Sequence, residues 1–149
     1  MISAIVSALH VLALALGLPS IFFRGRALKG SLDGPALRRL FMADTVWGIA
    51  ALLWLATGLA RAFGGLEKGS AFYLASPLFW LKMILFATVV LLEVWPMATF
   101  IRWRRALHRG EAPDTSAVSR LYIINHVEMS LVVVIVFVAS SMARGFGLP

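Results

Sequence analysis

Residues 1–23 read MISAIVSALHVLALALGLPSIFF, a run of apolar and small residues with no acid and no base, carrying one histidine, His10, near its middle. About twenty such residues are enough for one helix to cross the hydrocarbon core of a bilayer. An imidazole removed from water needs a partner, so a histidine at that depth is a pointer to function. A secretory signal fits the run poorly. It lacks a basic segment before it, and Gly17-Leu18-Pro19-Ser20 followed by Phe22 and Phe23 is not a small-residue cleavage site.

The remaining chain repeats the pattern. Of 149 residues 60% are hydrophobic and 14% charged, against about 25% charged in soluble domains. After the first span, 2–22, comes a basic connector from Phe23 to Pro35, rich in turn formers and expected to end the helix and stay in water. The second span is expected over 36–63, and the third opens at Ser76-Pro77, a cap followed by proline at the first helical position, and runs over 76–101. A further basic cluster leads to a fourth span over 117–143. No Ser- or Gly-rich linker divides the chain, so one domain is expected. The fold class is all-α, a polytopic membrane protein of four transmembrane helices in an antiparallel up-down bundle, with the lipid bilayer as its first partner.

Charge adds a topology. Arg24, Arg26, Lys29, Arg38 and Arg39 lie in or beside the first connector, and Arg102, Arg104, Arg105, Arg109 and Arg120 in or beside the third, against Arg61 and Lys68 in the second and Arg144 in the tail. By the positive-inside bias, both chain ends lie outside the cytoplasm of a bacterial inner membrane. The net charge of +7 sits in these clusters without any base-reading motif, which argues against nucleic acid as a partner. The absence of cysteine excludes disulfides, thiolate metal sites and iron–sulfur clusters, so any redox chemistry is borrowed from a cofactor.

The polar residues inside the spans form the candidate site. At about 1.5 Å per residue, His10 and Lys82 both fall roughly 12 Å below the outer boundary, in one layer. His126 falls roughly 12 Å above the inner boundary with Met129 nearer the midplane, and Asp44 and Glu93 occupy the inner half. Asp44 is expected to pair with Arg38 or Arg39, one turn away. Glu93 needs a cation or a proton and, at about 16 Å along the helix, is too far from Lys82 to use it. Pro96 is expected to bend the third span. On the fourth span Tyr122, Asn125, His126 and Met129 share one face with Glu128 at its edge. Asp44, Glu93 and Glu128 are candidates for a proton relay or ion pairs.

Two histidines, or a histidine and a methionine, facing each other across a bundle are the donors of a b-type haem, so haem b between His10 and His126 or Met129 is the leading cofactor reading. Gly17, Gly48 and Gly58 would let a flat macrocycle approach the backbone, and nearby arginine or lysine could hold its propionates. The same donors with a carboxylate would also suit a copper ion.

The segments His10 to Lys29, Asp44-Thr45-Val46-Trp47-Gly48, Gly58 to Gly69, Phe79-Trp80-Leu81-Lys82-Met83 and Tyr122 to Glu128 together resemble a small bacterial integral-membrane family known as a predicted membrane protein of unknown function. At the level of pattern the chain also resembles the HemJ-type protoporphyrinogen oxidases and the copper-resistance D-type membrane proteins. His10 matches the early intramembrane histidine of the HemJ type, Arg38 or Arg39 its basic residue opening the second span, and Trp80-Leu81-Lys82 its Trp-x-x-Lys-like segment. Where that family continues Trp-Phe-Gly-Gly, this chain has Leu16-Gly17-Leu18-Pro19. The HemJ resemblance implies haem b on the early histidine with a late methionine, here Met129, as its partner. It also implies an oxidoreductase acting on a tetrapyrrole, or a quinone-linked redox protein, with Lys82 and Arg38 or Arg39 engaging a carboxylate. The rival readings are a small permease or copper-handling protein, which would need to form a homo-oligomer, and an accessory scaffold without a ligand.

Overall fold

The computed structural model describes residues 1–146. Five helices follow in order: α1 (Ile2–Lys29), α2 (Gly34–Phe63), α3 (Ser70–Ala75), α4 (Pro77–His108) and α5 (Val118–Ala143). The four long ones are each apolar and long enough to cross a membrane. At 1.5 Å per residue even α5 reaches about 39 Å, so every long helix exceeds the roughly 30 Å of a hydrocarbon core and its ends stand in the interface.

Local chemistry sets the starts. Asp33 accepts the backbone amide of Ala36 at 2.8 Å, and Pro35, in the first turn, costs no hydrogen bond there. Pro77 opens α4 in the same way. Pro96 is fully buried inside α4, and the helix continues unbroken through it. Three boundaries differ from the sequence reading. The connector expected from Phe23 is helical as far as Lys29, α4 continues past Ile101 to His108, and a short helix, α3, precedes Pro77. Basic residues at a helix end read as solvent from composition, yet α1 continues about two turns past Phe22 and carries Arg24 among its partners.

Opposed residues fix the register. A Cβ on Gly58 would lie 3.3 Å from His10, one on Gly17 would lie 3.3 Å from Ala50, and Arg24 meets Asp44, so α1 and α2 run antiparallel along their length. The helices form an up-down bundle in which α1 packs on α2 and α5, and α4 packs on α5. The connectors α1–α2 and α4–α5 share one end, here the connector end. Met1, the end of α5 and α3 share the other, the terminal end.

Three core layers stack between them. Leu28, Leu40, Phe100, Trp103 and Leu121 fill the connector end. Ala13, Ile21, Trp47, Trp54, Val89, Val132 and Ile135 fill the middle, and Ala62, Tyr73, Phe79 and Met142 the terminal end. Large apolar side chains such as Ile49, Leu52, Leu91 and Phe137 point outward. On a membrane protein that surface meets acyl chains, so its exposure carries no cost.

Candidate functional site

Between the middle and connector-end layers lies a charged cluster centred on Arg24, whose side chain is 1% exposed. Its Nη1 and Nη2 donate to the two oxygens of Glu93 at 2.7 and 2.9 Å, a bidentate fork. Nη1 also reaches Asp44 at 3.3 Å, Nη2 donates to Glu128, and Nε donates to Asn125 at 2.7 Å. One guanidinium thus ties α1 to α2, α4 and α5. Further donors complete the acids: Trp47 Nε1 reaches Glu93 at 3.0 Å, and Arg104 reaches the second oxygen of Asp44 at 2.9 Å. Gly25 makes room for this, since a Cβ there would lie 2.6 Å from Asn125 Nδ2.

At the terminal end, His10, Lys82, Arg61, Glu67 and Tyr73 line a cavity of about 180 Å³ walled by Trp54, Leu59, Phe79 and Phe86. The tautomer of His10 follows from its partner. Thr57 spends its one hydroxyl proton on the carbonyl of Leu53 at 2.6 Å, so it accepts from His10 Nδ1 at 2.8 Å, which leaves Nε2 unprotonated with its lone pair free. Lys82 lies 5.0 Å from the centre of the Phe79 ring and forms no ion pair among the described residues. Arg61 and Tyr73 both donate to Glu67, at 2.7 and 2.6 Å, and roof the cavity.

Glu67 and Tyr73 of this roof lie outside the four long helices. Burial works against the charge of Glu67, but donation by Tyr73 and Arg61 holds its carboxyl below the ordinary carboxylate range. Burial, together with donation to Glu67, pushes the Tyr73 hydroxyl up to about 12. A depressed acid contributes stability above its unfolded value and loses it as pH falls through the folded one. A raised phenol contributes fully below about 10 and loses its contribution as pH rises through about 12. Tyr73→Phe is therefore expected to cost about 1 kcal/mol at neutral pH and to move the acid limb of the stability profile upward in a series of thermal melts.

The structure does not bring the proposed haem donors together. His10 sits at the level of Gly58, whereas His126 sits against Gly25, fifteen residues further along α1 or about 22 Å. His126 instead donates from Nδ1 to the carbonyl of Tyr122 at 2.8 Å and stacks on that ring. Together with Met129 and Asn125 it lines a separate crevice beside Arg26 and Lys29. Met129 is three residues from His126, and the α5 residues that reach the His10 cavity are Ile135, Ala139, Met142 and Ala143. A haem iron ligated by His10 and by a donor at His126 or Met129 does not fit, and neither does a copper ion sharing them.

The glycines serve packing where they serve anything. Gly17 admits Ala50 and Trp47, Gly58 admits His10, and Gly48 has open space beside it. Arg38 and Arg39 are exposed at the connector end, and Asp44 pairs with Arg24 and Arg104 in their place. They also stand some twenty residues from the level of Lys82, where Arg61 is the neighbouring guanidinium.

Four long apolar helices with a buried charge cluster describe a polytopic membrane protein, and comparison with known families agrees. Residues 2–147 match the family described as Predicted membrane protein (DUF2214). The chain belongs to that family. No curated protein and no solved structure matches it. For this DUF2214 member the residue that sequence reasoning missed is Arg24, assigned to a watery connector. The available signal was a shortage of cations for Asp44, Glu93 and Glu128, together with the small Gly25 beside an arginine directly after the apolar run.

Proposed function

We propose that this protein binds the single-ring head group of a lipid-soluble quinone in the cavity between His10 and Lys82. The observation that carries the reading is the cavity itself, apolar and aromatic on its walls with cationic and imidazole groups at one end. A void of about 150 Å³ accommodates benzene, so about 180 Å³ suits one substituted ring, whereas a tetrapyrrole needs several times the space. Lys82, with no carboxylate partner, is a donor for a quinone carbonyl. The free Nε2 of His10 is an acceptor for the hydroxyl of the reduced form. Exposed Leu59 beside the cavity leaves its flank on the acyl-chain side, the route by which such a ligand arrives.

In this reading the membrane is a bacterial inner membrane with the connector end in the cytoplasm. Removing the buried Arg24 and the Asp44-paired, partly exposed Arg104 from the count leaves Arg26, Lys29, Arg38, Arg39, Arg102, Arg105, Arg109 and Arg120 at that end, against Arg61, Lys68 and Arg144 at the other. The topological bias survives the correction.

The test uses Trp54, which lines the cavity and stacks 5.7 Å from the His10 ring. Titrating purified protein in detergent with a short-chain ubiquinone is expected to quench tryptophan fluorescence saturably, and Trp54→Phe should remove most of that signal. Lys82→Met is expected to weaken binding about tenfold, the worth of one charge-assisted hydrogen bond. Equal affinity in Lys82→Met and His10→Ala would sink the reading.

A further inference from the structure

The Arg24 cluster does not close electrically with every group ionised. Two guanidinium groups, the buried Arg24 and the partly exposed Arg104, meet three carboxyl groups, Asp44, Glu93 and Glu128, in a membrane-spanning bundle. The partners identify where the excess lies. Asp44 has a guanidinium on each oxygen, from Arg24 and Arg104. Glu93 has both oxygens on the Arg24 fork and a third donor in Trp47. Glu128 is different. It is fully buried, one oxygen accepts from Arg24, and the other, Oε1, meets no partner. Asn125, the remaining polar neighbour from α5, is spent on Arg24 Nε and on the carbonyl of Ile21.

We propose that Glu128 carries a proton at neutral pH, so that the Arg24 cluster is a one-proton site within the membrane. An uncompensated negative charge is least tolerable where water and donors are absent, and Glu128 Oε1 is the carboxyl oxygen of this cluster that lacks both. With the proton in place, two cations face two carboxylates. Losing it leaves one net negative charge in the bundle, so release requires either the arrival of another cation or a change in packing that admits water. The site is separate from the His10 cavity and does not depend on what that cavity binds.

The experiment is infrared spectroscopy of the full chain in detergent, on the parent and on Glu128→Gln. A glutamine presents its carbonyl to Arg24 and an amide where the hydroxyl stood, so it reproduces the neutral acid. Expected are a carboxylic-acid carbonyl band at neutral pH that shifts in heavy water, loss of that band in Glu128→Gln, and a variant that melts within about 2 °C of the parent. Four results overturn the proposal. They are no such band in the parent, a band that persists in Glu128→Gln, a Glu128→Gln that fails to fold, and a melting temperature that sodium ions raise in the parent but not in the variant. The last assigns the site to a metal cation.

Discussion

Arg24→Met is expected to leave no folded protein to purify. Removing one partner from a buried ion pair costs about 3–5 kcal/mol, and Arg24 makes five hydrogen bonds to four side chains on three other helices. Total stabilities are only about 5–15 kcal/mol, so the loss consumes most of what holds the bundle. Arg24→Lys is expected to fall between, because an ammonium on a flexible stem cannot present the planar fork that Glu93 accepts while also reaching Asn125. The diagnostic variant restores charge balance. Arg24→Met combined with Glu93→Gln, which leaves Arg104 facing Asp44, should recover folded protein that Arg24→Met alone lacks, read as a monodisperse peak and a cooperative thermal transition. Arg24→Met melting like its parent would show that this arginine is not the fastening it is described as here.

Gly25→Ala carries the second large effect. The added methyl would lie 2.6 Å from Asn125 Nδ2 and 3.3 Å from the His126 ring. An amide at the end of a free side chain would move aside, but this one is held at both ends, donating to Ile21 and accepting from Arg24. Relief therefore comes from separating α1 and α5 or from breaking those bonds, at a cost of about 2–3 kcal/mol. Thermal melts of the single and double variants test the cause. In an Asn125→Ala background the penalty of Gly25→Ala should shrink by more than half, since the clash has lost its second party. Gly34→Ala, where a new Cβ meets nothing within 4 Å, should change stability by less than about 0.5 kcal/mol.

These residues show what the sequence discloses and what it withholds. Length and apolarity sufficed for the four spans, because crossing hydrocarbon demands a run of fixed size whatever its neighbours are. Arithmetic on helical rise also put His10 and Lys82 at one depth, and one cavity holds both. The isolation of Glu93 was legible as a need for a cation, but the cation was not. Arg24 follows Phe22 and Phe23, and an arginine there satisfies the rule for topology as well as it satisfies a buried acid. The two roles differ by about two residues at the end of the span, within the error of a boundary read from composition. The pairing of His10 with His126 failed for another reason: it matched donors by type, although their depths already set them in opposite halves of the membrane. Similarly, Arg38 and Arg39 were near Asp44 in sequence, whereas Arg104, sixty residues away, is near it in space.

The central arginine also orders the assembly of the chain in time. Arg24 emerges during synthesis before any of its acids: Asp44 follows 20 residues later, Glu93 after 69 and Glu128 after 104. Until α4 and α5 arrive, Asp44 is the one acid of the cluster that the chain has supplied, so the bonds to Glu93 and Glu128 are the last to close. A chain truncated before Glu93 is expected to lack the bidentate fork and to give no cooperative thermal transition.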